Sequence, residues 1–137
     1  MPHDAIRVED TRAWLTKAAQ DLRAARHELT ADPPLLWDIV FHAQQAAEKS
    51  LKGYLAWHDV PFRKTHDLAE IGLACVTLDG SLEPLLRRTA ALTEYAWRYR
   101  YPGEPEQPTA LEADDALQTA CEVYDAIRTR LPAEVRP

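Results

Sequence analysis

The sequence predicts an all-α protein, an up-and-down antiparallel bundle of four long helices and one short helix. Apolar residues recur at helical spacing in five successive stretches. Short breaks that contain proline or glycine separate these stretches, and no stretch has the alternating pattern of a strand. Short connections make consecutive helices antiparallel neighbours. At 137 residues we expect a single domain over 1–137, with its core at about 10–131.

The first two helices are separated by a proline pair. Periodic apolar residues predict a first helix from Glu9 to His27. The break Asp32-Pro33-Pro34 ends that element, because proline disfavours the helical conformation in the residue before it. Proline also fits the first turn of a helix, so the second helix is expected to start near Pro34. It should end around His58-Asp59, before the extended step at Val60-Pro61.

The third and fourth helices have polar residues at their predicted starts. Thr65 can cap a short third helix that extends to about Val76. The pair Asp79-Gly80 then breaks the helical pattern. Ser81 can cap the fourth helix, and Pro84 is tolerated in its first turn.

The last helix has the clearest start signal in the chain. Thr109 and Glu112 have the Ser/Thr-x-x-Glu spacing of a capping box, after a loop with three prolines and a glycine at 101–108. Pro132 should end this helix. We expect 133–137 to be a frayed tail.

Composition excludes several classes of protein. A net charge of −6 argues against a protein that coats nucleic acid, although a local arginine patch would favour a compact anion over a long duplex. The start lacks the apolar core of a signal peptide and no stretch has membrane-spanning length, so we expect a cytoplasmic protein without membrane contact. Cys75 and Cys121 lack the spacing of a zinc or redox site, and both are expected to be small core residues. We expect no metal and no cofactor.

One face of the second helix carries a set of polar side chains. This polar arc of about 80° holds Asp38, His42, Gln45, Lys49 and Lys52, beside the core-facing stripe. Such a set can grip an anion, a base edge or the polar surface of another protein. The alternative is an ordinary solvated flank, which most helices have.

Two further features can contact a ligand. His66 is placed in the first turn of the third helix, where free N–H groups favour an anion, although a capped turn with an exposed histidine is equally compatible. In the segment 95–103 aromatic residues alternate with arginines, and it includes Tyr99, Arg100 and Tyr101. Tyrosine rings can stack on a base and guanidinium groups can hold phosphate, whereas the alternative is a core or dimer contact.

Three stretches in this order resemble the HEPN family, the higher-eukaryote and prokaryote nucleotide-binding domain. They are Phe41-His42-Ala43-Gln44-Gln45-Ala46-Ala47-Glu48-Lys49-Ser50-Leu51-Lys52, Thr65-His66-Asp67-Leu68 and Tyr99-Arg100-Tyr101-Pro102-Gly103. The similarity covers roughly Asp10 to Leu131. The chain looks most like the compact stand-alone prokaryotic branch, which is often encoded beside a small nucleotidyltransferase.

The resemblance implies a helical bundle that dimerises and binds nucleotides or RNA. In the nuclease members of the family, an Arg-x4-6-His motif near the last long helix builds a metal-independent RNase site at the dimer interface. No histidine follows Arg98 or Arg100 in this sequence, so the acid/base pair is missing at its expected place. The resemblance therefore favours binding over catalysis.

The leading hypothesis is a non-catalytic, nucleotide-binding homodimer that works with a small nucleotidyltransferase. Lys49, Lys52 and Arg100 are expected to hold phosphates, His42, Gln45 and His66 to add hydrogen bonds, and Tyr99 or Tyr101 to contact the base. One alternative is a metal-independent ribonuclease toxin of a toxin-antitoxin pair that uses a relocated histidine. The other is a purely protein-binding module that contacts a second copy or the nucleotidyltransferase.

Overall fold

A computed structural model of the chain describes residues 4–98 and 107–137, with the backbone alone at 95–98. These ranges contain five α-helices: α1 (Ala5–Leu29), α2 (Leu36–Trp57), α3 (Leu68–Leu78), α4 (Glu83–Arg98) and α5 (Ala110–Thr129). Short 3-10 turns lie at Gly80–Leu82 and Ala133–Val135, and no strand occurs in the described ranges. The predicted all-α bundle of four long helices and one short helix is confirmed.

Helix α2 is the centre of the bundle. It contacts each of the other four α-helices, most extensively α1 and α5. Its core-facing stripe is buried at Val40, Ala43, Ala47, Leu51 and Tyr54. Ser50 on the same stripe is also buried and donates from Oγ to the carbonyl of Ala46 at 2.7 Å. At Gly53 an added Cβ would lie 3.2 Å from the Cβ of Trp14, so the close approach of α1 depends on the missing side chain. The small residues of α2 therefore let its neighbours surround it.

Helix α1 begins earlier than the predicted Glu9, whereas α2 begins close to its predicted start near Pro34. Helix α1 starts at Ala5 because the carboxylate of Asp4 accepts a hydrogen bond from the N–H of Ile6 at 2.8 Å. Helix α2 starts at Leu36, and the residue before it makes no side-chain cap. Instead, the N–H of Leu35 donates to the carbonyl of Glu28 at 3.2 Å, which ties the start of α2 to the end of α1.

Aspartates cap the elements for which we predicted Thr65 and Ser81. Asp67 accepts from the N–H of Ala69 at 2.9 Å and caps α3, whereas Thr65 accepts from the N–H of Asp67. Asp79 likewise accepts from the N–H of Ser81 at 3.0 Å and caps the 3-10 turn before α4. Both corrections have one cause, since an ionised carboxylate also benefits from the positive end of a helix dipole.

The two ends of α5 had opposite outcomes. The capping box is confirmed, because Thr109 and Glu112 exchange side-chain to backbone hydrogen bonds at 3.0 Å. The expected frayed tail is wrong. Val135 is fully buried, and the guanidinium of Arg136 donates to the carbonyl of Leu131 at 2.8 Å. An apolar side chain with room in the core thus orders the end of the chain.

Among the helices of the described ranges, none is both long enough and apolar enough to cross a bilayer.

Asp79 provides a test of how the α3–α4 turn is held to α5. Hydrogen bonds from Ser81 and from Arg130 lower the pKa of Asp79 from 3.8 to about 2. The carboxylate therefore stabilises the fold above pH 3.8, and this contribution is lost as pH falls through about 2. We expect Asp79→Asn to lower the midpoint of urea unfolding at pH 7. The variant should also lose less stability than the wild type between pH 3.8 and about 2. Asp125→Asn, at an exposed site on α5, is the control, and an equal effect of both changes would contradict the assignment.

Candidate functional site

The polar face of α2 is divided between two groups of side chains. The first, which we call the Glu48 cluster, consists of Gln44, Glu48, Lys52 and His66. The second, which we call the His42 cluster, consists of Asp21, Glu28, His42 and Lys49. The solvated-flank interpretation therefore does not describe this face.

The carboxylate of Glu48 is the hub of the first cluster. Its side chain is 3% exposed, with Oε1 lying 2.8 Å from Nδ1 of His66 and Oε2 3.2 Å from Nζ of Lys52. The amide of Gln44 donates to the same Oε1 at 3.2 Å and to the backbone carbonyl of His66 at 3.4 Å. Two side chains of α2 thus hold His66, with Glu48 contacting its ring and Gln44 its backbone.

His66 is the exposed member of the Glu48 cluster. Its side chain is 63% exposed although its Nδ1 faces a buried carboxylate. With Glu48 ionised, this hydrogen bond requires a hydrogen on Nδ1. Nε2 is then the ring nitrogen that can contact a ligand. Nε2 can accept a proton when the ring is neutral and can donate a hydrogen bond to an anion when the ring is charged.

Lys52 lies inside the protein, so its predicted position on a polar surface is wrong. Its side chain is 8% exposed, and its ammonium lies 5.6 Å from the ring centroid of Trp14 and 5.7 Å from that of Phe62. These two rings meet edge to face at 6.0 Å. They belong to α1 and to the α2–α3 loop, so a helical wheel of α2 alone could not show that they cover Lys52.

The second cluster joins α2 to α1. Asp21 binds two partners, with Oδ1 lying 3.0 Å from Nδ1 of His42 and Oδ2 2.6 Å from Nζ of Lys49. The other ring nitrogen of His42, Nε2, lies 3.1 Å from Oε1 of Glu28. The positive charge of Lys49 and the hydrogen-bonding atoms of His42 are therefore engaged within the chain.

The acids of the His42 cluster were missed at the level of sequence. Asp21 and Glu28 are seven residues apart, so they lie on one face of α1. That spacing was the available signal, but it indicates an interaction only when the two helices are known to pack together. Burial raises the pKa of Glu28, while the positive charge of His42 opposes this rise and the nearby Asp38 adds to it.

The remaining predicted site residues have different positions. Gln45 is half-buried beside the Glu48 cluster, and its amide donates to Oε1 of Gln44 at 2.7 Å. His66 precedes α3 rather than lying in its first turn. Tyr99, Arg100 and Tyr101 lie outside the described residues. The structure thus groups Gln45, Lys52 and His66, and separately His42 and Lys49.

The start of α3 lies beside the second half of α4. The N–H of Leu68 donates to Oγ1 of Thr93 at 3.1 Å. Helix α4 ends at Arg98, five residues and therefore about 7.5 Å of helix rise after Thr93. His66 is two residues from this contact, so it lies toward the end of the bundle at which α4 terminates.

The cysteines and acids supply no metal centre in the described part of the chain. No group of three or more histidine, cysteine, aspartate or glutamate side chains is arranged there to hold a metal ion. Cys75 is fully buried, and burial raises its pKa to about 12. Cys121 is half-buried and packs against the core. The expectation of a core position is thus confirmed for Cys75 and holds in part for Cys121.

The ion pair inside the Glu48 cluster leads to a prediction about stability. Glu48→Leu leaves the ammonium of Lys52 buried without its carboxylate, so we expect a loss of about 3–5 kcal/mol in the free energy of unfolding. The double variant Glu48→Leu/Lys52→Met removes both charges and should recover most of that loss. Urea unfolding of both variants measures this difference. A double variant no more stable than the single one would show that the ion pair is not the source of the effect.

Among the comparisons with known proteins, the one with protein families gave a match. Neither the curated proteins nor the solved structures gave a match. A family model described as HEPN domain matches residues 11–130, which include most of α1 and the whole of α2, α3, α4 and α5. Because this match covers nearly all of its 137 residues, the chain belongs to the HEPN family, a family of helical domains of the nucleotide-binding and RNase type.

Proposed function

We propose that this HEPN chain binds a nucleotide or the end of a short RNA at the surface around His66, without cleaving it. The observation that supports this most directly is the exposed imidazole of His66, held from inside by the nearly fully buried carboxylate of Glu48. Nε2 of the charged ring is a suitable donor to a phosphate oxygen. The proposal assigns the first ligand contact to His66.

The physical character of the Glu48 cluster supports a role in orienting His66. Burying Glu48 and Lys52 removes two charges from water, and an apolar pair of similar volume is often as stable or more stable. Stability alone therefore gives little reason for an ion pair at this position. A binding group is more effective when buried hydrogen bonds hold it in one orientation, which is the arrangement around His66.

Charge limits the kind of ligand. The net charge of −6 opposes a long duplex, so a compact anion with one or two phosphates is the better fit. The start of α3 adds little, because the N–H groups of Leu68 and Ala69 donate to Thr93 and Asp67. Additional contacts have to come from neighbouring side chains. We assign them to Gln45 and to the sequence candidates Tyr99, Arg100 and Tyr101, which follow α4 in the chain.

The other predicted site residues of α2, which are His42, Lys49 and Lys52, have a smaller part in this proposal. A phosphate at His42 or Lys49 would have to compete with Asp21, which already contacts both. Lys52 is covered by aromatic rings and paired with Glu48, so it acts on the ligand through His66 rather than by direct contact. These three side chains are therefore assigned a supporting role.

Assembly is part of the same proposal. A homodimer and a small nucleotidyltransferase partner are implied by the family resemblance. The half-buried rings of Trp37 and Phe41 stack on the surface of α2, with centroids 5.5 Å apart and planes at 6°. Aromatic side chains of this kind are enriched in protein interfaces, which supports the proposed dimer.

Analytical ultracentrifugation of the wild type and of Trp37→Ser tests the dimer. The wild type should sediment as a dimer, and the variant should dissociate more readily. A monomeric wild type would contradict the proposed dimer.

Substitution of His66 tests the binding site. We expect His66→Ala to weaken the binding of ATP, GTP or a short RNA by about tenfold or more, because a hydrogen bond to a charged group contributes about 1.5–3 kcal/mol. Calorimetric titration measures the dissociation constants. The matched control is His27→Ala, which removes an exposed histidine from α1 and should leave binding unchanged.

Two outcomes would overturn the binding proposal. The first is a wild-type protein that binds none of these ligands, and the second is an equal loss of affinity in both histidine variants. Thermal unfolding of each variant without ligand shows whether the fold is intact. Because the side chain of His66 is largely exposed, its replacement should change the melting temperature little.

A second candidate function is metal-independent RNA cleavage, and the oriented ring of His66 is the observation that favours it. Nε2 of the neutral ring would accept the proton of a 2′-hydroxyl as the 2′ oxygen bonds to the adjacent phosphorus. The bond from phosphorus to the 5′ oxygen then breaks, and that oxygen takes a proton from water. A labelled RNA panel with a chelator decides between the two functions. Cleavage that is lost in His66→Ala supports this candidate, and intact RNA leaves the binding function.

A further inference from the structure

We propose that Asp21, His42 and Glu28 form a proton-holding bridge that fastens α1 to α2 and loosens as pH rises. Both ring nitrogens of His42 face carboxylate oxygens of α1, with Nδ1 3.0 Å from Asp21 and Nε2 3.1 Å from Glu28. The contact of Nδ1 with Asp21 has the geometry of a hydrogen bond, and the contact of Nε2 with Glu28 lies within ion-pair distance. One imidazole therefore spans two acids on the neighbouring helix.

The number of hydrogens in this bridge decides its behaviour. A neutral imidazole has one N–H, and an ionised carboxylate can only accept. With His42 neutral and both acids ionised, one of the two contacts would bring two lone pairs together at about 3 Å. One additional proton satisfies both contacts at once. The bridge therefore needs one proton more than a neutral imidazole and two ionised carboxylates carry.

Charge balance agrees with the bound proton. Asp21 and Glu28 carry two negative charges, and Lys49 supplies one positive charge through its 2.6 Å contact with Asp21. A protonated His42 brings the four groups to zero, whereas a neutral ring leaves one negative charge between two packed helices. The side chains of His42, Asp21 and Glu28 are 29%, 12% and 14% exposed, so water screens this charge only in part.

The other charged groups that act on Glu28 come from the same two helices. On α1, His27 acts on Glu28, and on α2 the nearby Asp38 adds negative charge. From α3, α4 and α5, no described charged side chain forms an ion pair with His42. The second oxygen of Glu28, Oε2, is buried and has no hydrogen-bond partner in the described structure. Burial raises the pKa of Glu28, so an ionised Glu28 depends on the charge of His42.

The position of the bridge determines what its loss would change. Glu28 lies in the last turn of α1, and its carbonyl accepts the N–H of Leu35 at the start of α2. Release of the proton therefore weakens the corner at which these two helices join. The folded chain holds this proton and the unfolded chain releases it as pH rises, so the stabilisation is present in mild acid and is lost toward alkaline pH.

The first test compares stability at pH 5.5, 7 and 8.5 in the wild type and in Glu28→Gln. The new amide can donate a hydrogen bond to Nε2 of a neutral His42 ring, and its oxygen can accept one from Nε2–H of a charged ring. The variant therefore keeps this contact whether or not His42 is protonated. One linked proton changes the unfolding constant by at most tenfold per pH unit. Between pH 5.5 and 8.5 we expect the unfolding constant to rise about tenfold more in the wild type than in Glu28→Gln. Glu9→Gln, which makes the same change at an exposed position of α1 away from the bridge, should follow the wild type.

The comparison with a variant is necessary because another histidine acts in the opposite direction. Burial and the charge of Arg7 lower the pKa of His58, so that residue makes the protein less stable as pH falls. This contribution is the same in the wild type and in Glu28→Gln, and it cancels in the difference. Equal pH dependence of both proteins would overturn the proposal.

A direct measurement covers the case in which Glu28→Gln does not fold. Nitrogen-15 spectra of the wild-type imidazoles, with His42 assigned by its loss in His42→Gln, report the hydrogens on each ring nitrogen. We expect both nitrogens of His42 to carry hydrogen at pH 7. As pH rises, one of these hydrogens should be lost, together with a change in the backbone chemical shifts of Glu28 and Leu35. A ring with a single N–H at pH 7 would overturn the bridge whatever the stability data show.

Discussion

The buried carboxylate of Glu48 is the interaction on which the arrangement of this protein depends. Helix α2 is surrounded by four helices, yet its sequence carries charges at positions that the bundle covers. A carboxylate in such a place is costly unless positive partners and hydrogen-bond donors surround it. Lys52 and Gln44 supply these partners from α2 itself, and His66 supplies one from the chain before α3. The connection between α2 and α3 is therefore placed by electrostatics as well as by apolar packing.

Much of the fold could be predicted from the sequence because its signals are local. Periodic apolar residues are a property of single helices, and the capping box of Thr109 and Glu112 lies within four residues. The errors arose where a position depends on distant parts of the chain. Val135 is ordered because the core has room for its side chain, which no feature of the tail sequence indicates. Asp67 and Asp79 are of a residue type that caps helices, but the nearby Thr65 and Ser81 are of such a type too. The sequence alone therefore did not decide between them.

The sequence predicted which polar residues of α2 share a face, but it did not predict their partners or contacts. The spacing on α2 correctly brought polar residues such as His42 and Lys49 to one face, since this follows from helix geometry alone. Their partners could not be found in that way, because Asp21 lies on a different helix at a register set by packing. Glu48 was not singled out, although its i, i+4 spacing to both Gln44 and Lys52 was a usable signal.

A comparison of His42 with His66 shows why the ligand site is better placed at His66 than along the polar arc of α2. Both ring nitrogens of His42 are used between α1 and α2, so this ring can act on a ligand only if the two helices separate. His66 uses one nitrogen for a buried carboxylate and directs the rest of its ring to solvent. Residues of one type thus serve packing in one cluster and recognition in the other. What decides between the two roles is the number of acids within reach of the ring, which depends on how the helices pack.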